Sequence, residues 1–159
     1  MNPMRSLLLA LLLVPALAAP ASASDYLLSD VSLVSGVAQA RLADSGVSNT
    51  RGLLEALLTP SLRSAMLPML ELNAAETLAL ARQLEFLQLE GVGPKASQLL
   101  IAAGVSSVAD LAKREPASLL APLAAANEVR AIAGVNPAIE HVTQWVEAAG
   151  KATLHLVEE

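Results

Sequence analysis

The chain has 159 residues, 54% hydrophobic and 16% charged, with a formal net charge of −5 and no Cys. That length holds one domain or two small packed halves. The lack of Cys excludes disulfides, thiol catalysis and thiolate metal sites. The acidic balance argues against tight binding to nucleic acid or anionic membranes, since both depend on clustered Lys and Arg.

With one Trp, one Tyr and one Phe, the core must come from Leu, Ala and Val, a composition that favours helices. Residues 1–23 read as a cleaved secretory signal peptide: Arg5 supplies the positive start, Leu7 to Val14 is an unbroken apolar run, and Ala21-Ser22-Ala23 offers small residues for cleavage. The run is too short for the ~20 residues of a spanning helix. Cleavage after Ala23 removes one Arg, which takes the net charge to −6. The expected product is periplasmic or secreted, with no membrane span.

Residues 24–88 form a first half. Ser35-Gly36 breaks an apolar run, Val37 to Asp44 suits a short helix, and Gly46 is a stop signal. Asn49-Thr50 offers caps for a helix holding Leu53, Leu54, Leu57 and Leu58. Pro60 ends that unit, and Ser61 to Leu70 continues helically with a kink or boundary expected at Pro68. Asn73 and Glu76 have capping-box spacing. The helix they open, residues 73–88, carries Leu80, Leu84 and Leu87 on one side and Leu78 and Phe86 on another. A helix apolar on two sides is buried between layers, so this one is expected to join two halves.

Residues 89–151 form the second half. Gly91 and Gly93 flank Val92, and Pro94 opens a segment with Ala96, Leu99, Leu100 and Ala103 on one helical face, ended by Gly104. This reads as a tight hairpin feeding a short helix, with Val92 pointing into a core. A turn this tight needs at least one residue at positive φ, and a missing Cβ also lets a phosphate approach the free amides of the helix start. Gly91, Val92, Gly93 and Lys95 are therefore the candidate phosphate-binding hairpin, against the plainer reading of a corner with no ligand.

Ser107 can cap a short helix with Asp110 near its start, and Lys113 to Pro116 ends it. Ser118 to Asn127 is another helical run, and Asn136-Pro137 signals the last one. There Ile139, Val142, Val146 and Ala149 form a stripe with Trp145 at its edge, and Gly150 closes it. Residues 152–159 read either as an extended tail, through Leu154 and Leu156, or as disorder.

The halves resemble each other. Leu42 to Ser48 parallels Leu100 to Ser106, and Leu53 matches Leu111, a degenerate repeat of roughly sixty residues. The Gly91-Val92-Gly93 pattern resembles the helix-hairpin-helix motif, whose glycine hairpin often contacts nucleic-acid phosphates. Residues 78 to about 151 resemble a bacterial helix-hairpin-helix family catalogued as domain of unknown function 4332. The carrying residues are Leu89 to Pro94, Leu99 to Val105, Ser107 to Ala112, Ala125, Asn127, Glu128 and the closing helix Val142 to Ala149 with Trp145. The resemblance implies an all-α fold of two tandem helix-hairpin-helix-like halves around a shared central helix, and no established activity. Its members are often cytoplasmic, so the signal peptide is a departure.

Catalytic chemistry finds little support. His141 and His155 are too few for zinc, which needs three or four ligands. No Gly-x-Ser-x-Gly elbow exists, Gly91-Val92-Gly93 lacks the strand and third glycine of a dinucleotide fingerprint, and Glu85 and Glu90 read as a solvated face. No cofactor is expected. From Leu89 to Lys151 the chain has five basic and six acidic residues, so no basic stripe forms, and base-stacking aromatics are nearly absent. The expectation is a non-enzymatic, exported module that binds an unidentified protein partner. The alternative is weak, sequence-independent contact with the DNA backbone through the hairpin.

Overall fold

Capping side chains set most of the helix starts. Ser35 accepts from the Ala38 amide, Asn49 from Gly52, Thr59 from Leu62, and Ser107 from Asp110. Asn73 accepts from the Glu76 amide while Glu76 reaches back to the Asn73 amide, so the expected capping box is formed. The protein is seen in a computed structural model that describes residues 25–158, so the signal-peptide reading of residues 1–23 lies outside the described residues. Among the described residues there are eight helices: α1 (Gly36–Asp44), α2 (Thr50–Glu55), α3 (Pro60–Leu70), α4 (Ala74–Leu87), α5 (Pro94–Ala102), α6 (Val108–Leu111), α7 (Pro116–Arg130) and α8 (Ile139–Lys151). The fold is all-α; among the described residues one isolated antiparallel bridge joins Leu27 to Asn49, and none of these helices is long and apolar enough to cross a membrane.

Two apolar clusters form the core. One gathers Leu28, Leu42, Leu53, Leu54, Leu57, Leu70, Leu80, Leu84 and Leu87. The other gathers Phe86, Leu89, Val92, Leu99, Leu100, Val105, Leu111, Leu123, Val142 and Trp145. α4 serves both: Leu80, Leu84 and Leu87 belong to the first, and Phe86, fully buried, belongs to the second. Each fully buried Leu or Phe contributes roughly 1.5–3 kcal/mol of transfer free energy, so α4 is the element neither cluster can lose.

The similarity of Leu42–Ser48 to Leu100–Ser106 has a structural counterpart. A shift of 58 positions carries α1 onto α5 (36 to 94, 44 to 102) and the cap of α2 onto that of α6 (49 to 107). Gly46 and Gly104 take φ of +87° and +85°. The Val47 amide donates to the Leu42 carbonyl at 2.8 Å, as Val105 does to Leu100 at 3.0 Å.

Several boundaries differ from expectation. Pro68 neither ends nor bounds α3, which continues to Leu70 and stops at Glu71 in the left-handed region, φ +59°. α2 stops at Glu55, before Leu57 and Leu58, yet Leu57 is fully buried. α7 starts at Pro116 and runs to Arg130, longer than the expected Ser118 to Asn127. Pro116 begins that helix because a first-turn proline lacks an amide that would have been unpaired anyway. α8 starts at Ile139 after Ala138, not at Asn136-Pro137, and runs through Gly150 to Lys151. The Asn136 side chain is engaged elsewhere, accepting from Asn127 Nδ2 at 2.9 Å. The buried stripe of α8 is Val142, Trp145 and Ala149, so Trp145 lies at its centre; Ile139 is 38% exposed.

Candidate functional site

The hairpin follows α4 directly. The Leu89 amide donates to the Phe86 carbonyl at 3.0 Å and the Val92 amide to the Leu89 carbonyl at 3.1 Å. That closes a turn in which Gly91 has φ +79°, a conformation open to glycine at little cost. Val92 is buried in the second cluster, as its place between the glycines predicts. Pro94 opens α5, and Lys95 is exposed on its first turn.

The two glycines differ in kind. A Cβ on Gly91 would meet the Gln144 side chain of α8 at 3.1 to 3.3 Å. Its carbonyl accepts from Trp145 Nε1 at 2.9 Å. The notch left by the missing Cβ is thus filled from within the protein. Gly93 has φ −89° and ψ −179°, extended backbone that any residue adopts, and a Cβ there would sit 3.5 Å from the Tyr26 hydroxyl, an ordinary contact. Its role is to cap α5 without a side-chain acceptor. Of the expected pair, only Gly91 is required by the turn.

Beside the hairpin lies an open cleft of about 440 Å³ between the start of α5, the loop 131–138 and α8. Ala96, Leu99, Ala133, Val135, Pro137 and Trp145 line it, with His141 at the rim. Val135 is 82% exposed. Asn127 shapes the loop: its side chain accepts from the Ala133 amide at 2.8 Å and donates to the Ala133 carbonyl at 3.0 Å. His141 is exposed, and among the described residues no group of three or more His, Cys, Asp or Glu is placed to hold a metal.

Glu85 corrects the sequence reading. It does not lie on a solvated face but is 3% exposed, inside α4. Its carboxylate accepts from the Val108 amide at 3.4 Å and the Leu156 amide at 3.0 Å, with His155 Nδ1 at 3.9 Å. Burial raises its pKa, opposed by those two amides and by His155. Residues 152–158, left open as tail or disorder, form an extended strap held over the first cluster. Glu85 and Arg63 organise that arrangement; Arg63 does not stand out in the sequence, Glu85 reads there as solvated, and the only signal for the strap is the alternation of Leu154 and Leu156.

No curated protein and no solved structure matches the chain. A family model described as "Domain of unknown function (DUF4332)" matches residues 34–152, a span from the residue before the cap of α1 to the residue after α8. The all-helical order, with its buried Val92 and Trp145, is the fold of that matched span, and the chain belongs to the DUF4332 family.

Proposed function

We propose that the protein is an exported, non-catalytic helix-hairpin-helix module that docks a protein partner through the cleft beside its glycine hairpin. The observation that carries this reading is the cleft itself, lined by Leu99, Val135, Pro137 and Trp145, of which Val135 is exposed while Leu99 and Trp145 are buried beneath it in the core. Exposed apolar surface rimmed by polar groups marks interaction sites. Export rests on Arg5, the Leu7 to Val14 run and Ala21-Ser22-Ala23. A mature N-terminus at Ser24 in the native protein, read by mass spectrometry, supports it; retention of Met1 or Asn2 defeats it. A pull-down from periplasm, with and without nuclease, tests the partner class. Capture that survives nuclease is expected for a protein partner.

DNA-backbone contact is the second reading. In its favour, the first-turn amides of α5 have no side-chain cap and Lys95 is exposed beside them. One hairpin would engage two or three phosphates, giving a salt slope of roughly −2 to −3 and affinity no better than ~10⁻⁴ to 10⁻⁶ M at physiological salt. Lys95→Ala should then weaken binding uniformly across sequences. Filling of the Gly91 notch by Gln144 favours the protein-partner reading.

A further inference from the structure

Beyond Lys151 the chain leaves the second cluster and runs extended over the first. Leu154 and Leu156 are half-buried against that cluster, while Thr153, His155 and Val157 face solvent. The contacts below the strap form a groove with a fixed set of partners. The Leu156 amide donates to Glu85 at 3.0 Å and the Val157 amide to the Leu58 carbonyl at 2.9 Å. Arg82 grips the Glu158 carboxylate with two bonds of 2.8 and 2.7 Å. Arg63 Nη2 donates to the Glu158 carbonyl at 3.3 Å. Arg63 is 7% exposed, and its other bonds go to the carbonyls of Leu57 and Leu58; among the described residues it makes no direct ion pair, but its charge acts on the nearby Glu158 carboxylate.

We propose that this groove is a peptide-acceptor site, filled in cis by residues 152–158. Its ligand in trans is an extended segment of a partner protein with apolar residues two apart and a carboxylate two positions later. The inference rests on the interaction-module reading and names its partner chemistry. Three features argue for that ligand. The strap shows what the groove accepts: extended main chain held by hydrogen bonds, with alternate side chains seated, as in other modes of strand-like peptide recognition. The charge at its end is complementary, since Arg82 and Arg63 converge on an acidic residue. The strap's own hold is shallow, with half-buried leucines and a partly exposed ion pair, which places it among the segments that open most readily. A short tether to α8 gives the strap an effective concentration of ~1 mM, so it shields the groove from weak ligands and yields only to a segment of matching chemistry.

The test uses a fluorescent peptide with the sequence of residues 152–158 and the full mature chain. In one protein the strap is disabled by Leu154→Ser, Leu156→Ser and Glu158→Gln together, with circular dichroism and Trp145 fluorescence verifying the fold. Anisotropy should show the peptide binding at least tenfold tighter to this variant than to the wild type. Adding Arg82→Glu should cost at least tenfold, and a Glu158→Lys peptide should recover the loss. A folded, strap-disabled protein that binds no peptide at ~1 mM overturns the proposal, as does a Leu154→Ser peptide that binds as well as the parent. A wild-type dimer in light scattering that Arg82→Glu dissolves would make a second copy the occupant and overturn the partner assignment. Partner capture in the pull-down that succeeds while the peptide fails to bind overturns this inference and leaves the module reading standing. Capture that fails for every variant removes the module reading itself.

Discussion

Alanine placed at four glycines separates backbone strain from ligand access. Gly91, Gly46 and Gly104 all have positive φ, of +79°, +87° and +85°. An L-residue in the left-handed region costs roughly 1–2 kcal/mol, so each Ala variant should lose about that much, or ~3–8 °C in melting temperature for a domain of this size. Nothing lies within 4 Å of a Cβ at Gly46 or Gly104, whereas at Gly91 the Gln144 side chain stands at 3.1 Å. Gly91→Ala should therefore cost more than Gly104→Ala. The excess should be small, because the end of a flexible Gln can move, and Gln144→Ala in the same chain should remove it. Gly93→Ala falls on extended backbone with an ordinary 3.5 Å contact to Tyr26, so its stability should stay within about 0.5 kcal/mol of wild type. Urea denaturation monitored by circular dichroism measures all four. A Gly93→Ala loss above ~1.5 kcal/mol, or a neutral Gly91→Ala, would refute the assignment of the turn's strain to Gly91 alone. Because Gly93→Ala leaves the fold intact on this argument, it is also the clean probe of whether a ligand approaches that backbone.

Trp145→Ala should destabilise by roughly 3–5 kcal/mol as a large buried side chain is lost. Trp145→Phe should cost ~1–3 kcal/mol, since the Gly91 carbonyl then lacks its 2.9 Å donor; near-neutral Phe would show that carbonyl to be solvated. Ala131 closes α7 in the left-handed region at φ +49°, so Ala131→Gly should stabilise by about 0.5–1 kcal/mol in thermal unfolding. The Arg114 guanidinium, with help from the Ser106 amide, draws the Asp110 carboxyl from 3.8 down to about 2. A depressed folded pKa means stability that is present above pH ~4 and lost as pH falls toward 2. Asp110→Asn should flatten the acid limb of the stability profile in that window, and an NMR titration midpoint for Asp110 near 4 would contradict the pairing.

Local chemistry was readable in the sequence wherever a short-range rule acts alone. The Asn73–Glu76 box, the Ser107 cap, a positive φ somewhere in the Gly91-Val92-Gly93 turn, the left-handed cap at Gly104 and the start of α5 at Pro94 all depend on a few consecutive residues. The two-sided apolar pattern of α4 likewise predicts its place between two clusters. Prolines misled because their effect depends on which end of a helix they occupy: Pro116 opens α7, and Pro68 is carried inside α3.

The composition and the local patterns of the chain determined that it is helical and where α2, α4, α5 and α6 begin. They also determined that its core is leucine-rich and that Val92 points inward, while they place Trp145 only at the edge of its stripe. Only the tertiary structure decided what fills the Gly91 notch, since Gln144 lies 53 positions away in the chain (91 to 144). It also decided that Glu85 is buried, because its partners Val108 and Leu156 reach it from other elements. It decided as well that the final segment is a strap, because residues 152–158 are ordered by Leu58, Arg63, Arg82 and Glu85, all far back along the chain. Helix caps and turns act over three or four residues and are written locally. The burial of a charge and the seating of an extended segment depend on surfaces that exist only after the chain has folded.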